Sequence, residues 1–151
     1  MANNFSLYAI PAYWVLSLFP HGYAVGLIKK ANNNKWDNVN PRGLNANPSY
    51  EKSVPADCYA RFERAESAHK NGMENAPFFV GAVLAANMAG VGARTMNAAT
   101  GAYLALRVLY TVLYINTTEK KTSFLRSLTW GASVLTLMGL YVKAGKEWAS
   151  R

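Results

Sequence analysis

Between Arg61 and Glu74 the chain crowds Arg, Lys, His, Asn and Glu into a run with helical spacing. It then passes without a break into the apolar segment Phe78 to Val91. Residues three or four apart share a helix face. Arg64, Ala68, Asn71 and Asn75 therefore align, with Ser67 and Glu74 close beside them, and Lys70 and Glu74 are i,i+4 partners. A peptide-like ligand with carboxylates and an ammonium needs such a mixed set. Arg or Lys takes a carboxylate, Glu takes an ammonium, and Asn fixes a peptide group. The alternative is a solvated amphipathic helix with ordinary ion pairs. Ionisable groups at the mouth of a membrane helix are costly, and are usually retained for a polar ligand or a structural network.

Further along, Tyr103, Arg107, Tyr110 and Tyr114 follow i, i+4, i+7, i+11 and share one face. An Arg midway through an apolar helix must find a partner or water, and the tyrosines supply hydroxyls beside it. This face either lines a polar cleft or lets Arg107 pair with Glu74 in a buried network, and one does not exclude the other. Arg126-Ser127 opens a further apolar block. A cation stabilises a nearby thiolate, a hydroxyl can donate to sulfur, and a helix N-terminus favours an anion. A Ser at a helix start is also an ordinary cap. His69 has no second His or Cys at metal-ligand spacing, so a capping or interfacial role is expected and no metal is. Cys58 is a lone cysteine; it excludes an intrachain disulfide and reads as a plain structural or exposed thiol.

Long apolar blocks position these groups. Of 151 residues, 51% are hydrophobic and only 16% charged, well under the usual quarter. The mean hydropathy near zero averages apolar blocks with one very polar loop. The blocks are 5–28, 76–91, 96–115 and 124–142, the second extended by a polar stretch over 57–75. About 20 apolar residues cross a bilayer core as a helix, so the expected architecture is an all-α membrane bundle of four spans in a single domain, 1–151. Pro11 and Pro20 should bend the first span. That span has no basic leader and is too long for a signal-peptide core, so it is expected to be retained. Gly81, Ala85 and Ala89, with Ala82, Ala86 and Gly90, and then Ala98, Gly101, Ala102 and Ala105, have the spacing of close helix contacts in lipid.

The net charge of +8 calls for an anionic partner. Nucleic acid is not expected, because the basic residues cluster between apolar blocks. Lys29, Lys30, Lys35, Arg42, Lys52, Arg61, Arg64, Lys70, Lys120, Lys121 and Arg126 lie on one side of the spans. Arg94, Lys143, Lys146 and Arg151 lie on the other. The positive-inside rule puts the long loops in the cytosol and both termini in a lumen or outside.

Three of these pieces, in this order, resemble the MAPEG family of membrane-associated proteins in eicosanoid and glutathione metabolism. They are Arg64-Ala65 with Asn71, Glu74 and Pro77; Arg107-Val108-Leu109-Tyr110 with Tyr114; and Arg126-Ser127-Leu128-Thr129-Trp130. The Ala68-His69-x-Asn71-Gly72 pattern is similar to the divergent branch found in bacteria and fungi. The resemblance implies a homotrimer in the endoplasmic reticulum, or in the inner membrane of a bacterium. Glutathione would be the co-substrate, held near the cytosolic surface, without a metal. It assigns glutathione binding to Lys30 (or Lys29), Arg64, Lys70, Asn71, Glu74, Arg107, Tyr110 and Tyr114, and thiol activation to Arg126 and Ser127. The eicosanoid synthases carry Arg where this chain has Ser67, and another Arg where it has Lys70, which keeps charge without bidentate geometry. Tyr110 replaces a His of one synthase type.

The activity so implied is a microsomal-type glutathione transferase or peroxidase acting on a lipophilic electrophile delivered from the bilayer. A non-catalytic scaffold for lipophilic ligands, which the family also contains, is one alternative. The other is a glutathione-independent isomerase or cyclase using Tyr103, Tyr110, Tyr114 and Glu74 as acid and base.

Overall fold

The computed structural model describes residues 2–41 and 46–150, with the backbone alone at a few of them. Arg42 and Arg151, two of the residues used for orientation, lie outside the described residues, as does the side chain of Lys121. Among the described residues all regular structure is helical: a short turn, Ser6–Tyr8, then α1 (Ala9–Ala31), α2 (Ala46–Ser53), α3 (Ala56–Met88), α4 (Ala93–Asn116) and α5 (Lys120–Ala149).

The expected fusion of a polar stretch with an apolar block is realised in α3, which runs 33 residues straight through Pro77. At 1.5 Å per residue it is about 50 Å long, and it packs against α1, α4 and α5. α1 likewise continues through Pro20. Pro11 falls in the first turn of α1, where the missing N–H has no intrahelical acceptor to lose.

The helix ends follow from local chemistry. After α3, Gly90 takes a φ of 74°. Its N–H donates to Asn87 O, and Val91 N–H reaches back to Ala86 O, both at 3.0 Å. This is the paired closure of a helix by a left-handed residue, which a side chain disfavours. Gly90 was expected in a helix-packing face; it is a stop signal instead. α1 ends the same way on its asparagine run. Asn33 and Asn34 have φ of 47° and 60°, and Asn34 N–H donates to Lys29 O at 2.8 Å. Asparagine tolerates this region better than most residues.

Two apolar cores mark the two ends of the bundle. Ala9, Val91, Met96 and Ala144 share one, so the start of α1 and α4 meets the ends of α3 and α5. Ile28, Phe62 and Ile115 share the other, with α2 folded onto it through Tyr50 and Val54. The long helices therefore alternate in direction, and the basic loops gather at the second end.

The surface is inverted relative to a soluble bundle. Trp14, Val15, Phe19, Val108, Val112, Leu128, Leu135, Met138 and Val142 are exposed, while Ser6, Ser17, His69, Thr100, Arg107 and Ser133 are buried. Apolar exposure of this extent marks a membrane or partner surface. By length and apolarity, α4 is the one described helix fit to cross a membrane, and most of its apolar stretch faces outward. The other long helices carry prolines, histidine, ionisable or hydroxyl groups that dilute their apolar runs.

The small-residue faces divide. On α3, Ala82, Ala86 and Ala89 are buried, as expected. On α4, Ala98, Gly101, Ala102 and Ala105 point outward, and a Cβ added at Gly101 would meet nothing.

Candidate functional site

α4 carries Arg107 into the middle of the bundle, where it is 4% exposed. Its Nη2 donates to Asn71 Oδ1 on α3 at 2.8 Å, and the guanidinium lies 4.5 Å from the centroid of the Tyr110 ring. The expected pairing of Arg107 with Glu74 does not form. Asn71 is the side chain of α3 that meets Arg107, whereas Glu74, three residues on, is exposed. Asn75 Nδ2 in turn donates to the Asn71 carbonyl at 2.8 Å, which braces that turn of α3. A neutral amide thus holds a buried cation, and among the described residues no carboxylate forms an ion pair with it.

The aromatic face of α4 extends the site. Tyr110 meets Tyr114 edge-on with centroids 5.5 Å apart. The Tyr114 ring lies 4.3 Å from the guanidinium carbon of Arg126 on α5. Arg107, Tyr110, Tyr114 and Arg126 form a ladder of two cations on the faces of two rings, each contact worth about 0.5–2 kcal/mol. Glu74 lies close enough to share the electrostatic surroundings of Tyr110. Tyr103, one turn back, belongs to the core instead. It stacks on Phe79 at 4.5 Å and 10° and tilts against Tyr13 at 5.4 Å.

Lys70 and Glu74 do not pair with each other; they are exposed and line a cavity of about 430 Å³ with Glu66, Met73 and Trp36. That volume is in the range of small-molecule sites. The wall opposite α3 comes from the loop after α1, where Trp36 stacks on Tyr50 at 5.1 Å and Tyr50 Oη accepts from Asp37 N–H at 2.8 Å. Glu66, which lines the cavity, makes a contact absent from the sequence expectations. His21 Nδ1 meets Glu66 Oε1 at 2.7 Å, and the His21 ring lies 5.2 Å from that of His69. A carboxylate accepts, so Nδ1 of His21 carries the proton in this bond. His21 is 45 residues from Glu66 in the chain, and only the packing of α1 on α3 relates them.

His69 lies inside α3 and is not a helix cap. It is buried, and its Nδ1–H donates to Ser17 O on α1 at 2.7 Å. Tyr13 Oη donates to Gly72 O at 2.6 Å. Together these bonds bolt α1 to the polar half of α3.

The remaining expected residues sit apart from the ladder. Arg64 Nε donates to Ile115 O at 2.9 Å, and so satisfies a carbonyl at the end of α4. Beside it, Arg61 Nη2 donates to Asn116 Oδ1 at 2.6 Å. Lys30 is exposed in the last turn of α1. Ser127 is exposed, and its hydroxyl makes a long 3.4 Å bond to Ser123 O one turn back. Cys58 is partly buried with Sγ 3.7 Å from Leu27 O. Burial first, and Asp57 second, push its thiol pKa up, the reverse of what a nucleophile needs.

Among the described residues no cluster of His, Cys, Asp and Glu is arranged to hold a metal. The model of the MAPEG family matches residues 7–146. No curated protein and no solved structure matches the chain.

Proposed function

The chain belongs to the MAPEG family, and from that premise we propose a membrane-bound glutathione-dependent transferase or peroxidase that acts on a lipophilic electrophile. The observation that carries this reading is the ladder. Asn71, Arg107, Tyr110, Tyr114 and Arg126, drawn from three helices, make one cationic face in which, among the described residues, neither arginine is ion-paired. Such a face suits an anionic peptide thiol.

In this reading Lys70 takes a glutathione carboxylate, Glu74 its ammonium and Asn71 a peptide group. Arg126 stabilises the thiolate, whose proton goes to solvent. The thiolate sulfur attacks an electrophilic carbon, the C–S bond forms, and the leaving group departs with the bonding electrons. Arg107 and the two tyrosines hold the anionic peptide near the sulfur. With a hydroperoxide, two glutathione molecules supply the two electrons; the products are alcohol, water and the disulfide.

Four spans with the basic loops in the cytosol and the termini on the far side fit the alternating helix directions and the positive-inside rule. The membrane is the endoplasmic reticulum or, in a bacterium, the inner membrane. A homotrimer accounts for the outward small-residue face of α4, which suits close packing against another copy in lipid. In a trimer, Lys30, Arg64 and Ser127, set apart within one chain, are available to a site completed by a neighbour.

The test is an assay of the purified protein in detergent with glutathione and a generic aryl halide. The conjugate should form, and Arg126→Gln should lower kcat at least tenfold while raising the apparent pKa of the bound thiol. Absence of any turnover that depends on both glutathione and Arg126 overturns the proposal.

A further inference from the structure

Arg61 and Arg64 bring two positive charges to one corner of the basic end, against the last turn of α4. Arg61 Nη2 donates to Asn116 Oδ1 at 2.6 Å, and Arg64 Nε donates to Ile115 O at 2.9 Å. The two guanidinium groups are thus fixed on consecutive residues, and both acceptors are neutral. Among the described residues their remaining donors make no hydrogen bond, and neither arginine is ion-paired. Glu63 and Glu119 are exposed and pair with neither, while Glu66 is taken by His21.

Arg64 closes the end of α4, but a helix C-terminus carries only about half an elementary charge. That offsets a fraction of two full positive charges. Lys120 adds a third exposed cation four residues after Asn116, and α5 starts there without a side-chain cap. Its first N–H groups therefore add to the positive field. Guanidinium groups held in place with an open donor edge suit a phosphate, which accepts parallel bonds from the fork.

The level of this corner decides the source of the anion. α4 is the described helix fit to cross a membrane, and Ile115 and Asn116 are its last residues. One turn further into the span, Val112 on α4 and Phe124 on α5 are exposed, and Leu128 follows. Cations at the end of a span, with exposed apolar surface just below them, match a phospholipid: the headgroup meets the cations and the acyl chains follow the helices.

We propose that this corner is the headgroup site of an anionic phospholipid in the leaflet at the basic end of the bundle. Arg61 and Arg64 take the phosphate oxygens, Lys120 adds attraction for the net charge, and the acyl chains lie along Val112, Phe124 and Leu128. A zwitterionic phospholipid carries the same phosphate, but the three cations repel its ammonium. The inference rests on the membrane setting of the bundle, and not on the use of glutathione.

The experiment uses the full chain in a neutral detergent. Dioleoyl phosphatidylglycerol and dioleoyl phosphatidylcholine are the probes, and native mass spectrometry counts bound lipid. The first phosphatidylglycerol should bind about tenfold more tightly than phosphatidylcholine, or better, and should raise Tm saturably. Its affinity should fall as salt is raised. Arg61→Gln and Lys120→Gln should each weaken it about fivefold, the loss expected for one cation at an anionic headgroup. Arg64→Lys keeps the charge without the fork and should weaken it as well. Lys143→Gln with Lys146→Gln, at the opposite end, should leave it unchanged. Should Arg64→Lys fail to fold, the two exposed positions decide. Equal affinity for the two lipids, or undiminished phosphatidylglycerol affinity in Arg61→Gln and Lys120→Gln, overturns the proposal. So does competitive displacement of the lipid by inorganic phosphate at comparable affinity, which makes the ligand a free anion. Competitive displacement by glutathione overturns it too, and assigns the corner to the thiol site. Failure of glutathione to bind at all leaves the lipid site standing and removes the transferase reading alone.

Discussion

Arg107 Nη2 donates to Asn71 Oδ1 across 2.8 Å, so a buried guanidinium on α4 is held by a neutral amide on α3. The arrangement satisfies the donor without cancelling the charge. Asn71→Asp should pair the charge within the protein. Thermal stability is expected to hold or rise, while glutathione affinity, measured by calorimetry, falls at least tenfold. Asn71→Leu should cost about 1–3 kcal/mol of stability by leaving a buried donor unpaired. Undiminished affinity in the Asp variant would take Arg107 out of the anion site.

Gly81 lies under Tyr141, whose hydroxyl donates to Phe78 O at 3.1 Å. A Cβ at 81 would collide with that hydroxyl, and the Tyr141 ring is held against Phe78 at 5.1 Å. Gly81→Ala should therefore destabilise α3 against α5 by about 1–3 kcal/mol, the usual cost of overpacking. Tyr141→Phe in the same chain should recover part of the loss. Additive losses in the double-mutant cycle would mean that the two residues do not touch.

Cys58 should resist alkylation near neutral pH. Its thiol is pushed above the ordinary value by burial and by Asp57, so the thiolate fraction at a given pH is lower than for a free thiol. The iodoacetamide rate should climb with pH and level off later than for a small thiol. Asp57→Asn should shift the profile modestly to lower pH. A profile that levels off below the free-thiol value would mark Cys58 as activated.

Gly101 faces open space within one chain. Gly101→Leu should leave the fold of the single chain intact and even favour α4 by about 1 kcal/mol of helix propensity. In a trimer packed on this face, the same change should block close approach. Light scattering in detergent should give a trimer for the wild type and smaller species for the variant. An unchanged mass would move the interface elsewhere.

Much of this molecule is written in local pattern. The i, i+4, i+7, i+11 run from Tyr103 to Tyr114 did predict one face, because helical periodicity is a property of adjacent turns. The continuation of α3 through Pro77 was legible for the same reason. Small-residue spacing was less decisive. It read alike on α3 and α4, yet Ala82 and Ala86 are buried while Gly101 and Ala105 face outward. Periodicity says which residues share a face; it does not say what the face meets.

The sequence alone determined the long helices, the end of the bundle at which the basic loops gather, and which side chains share a helix face. Each of these depends on residues within a few turns of one another. Tertiary structure decided that Arg107 takes Asn71 and not Glu74, that Arg64 caps α4, and that His21 meets Glu66. It also decided that Ser17 and Arg107 line one cavity, with Ser17 Oγ and Arg107 Nη1 buried without hydrogen-bond partners. These pairings join residues 36 or more apart in the chain. They follow from the rotation and depth at which one helix packs on another, which side-chain volume at the contact sets and no local pattern records.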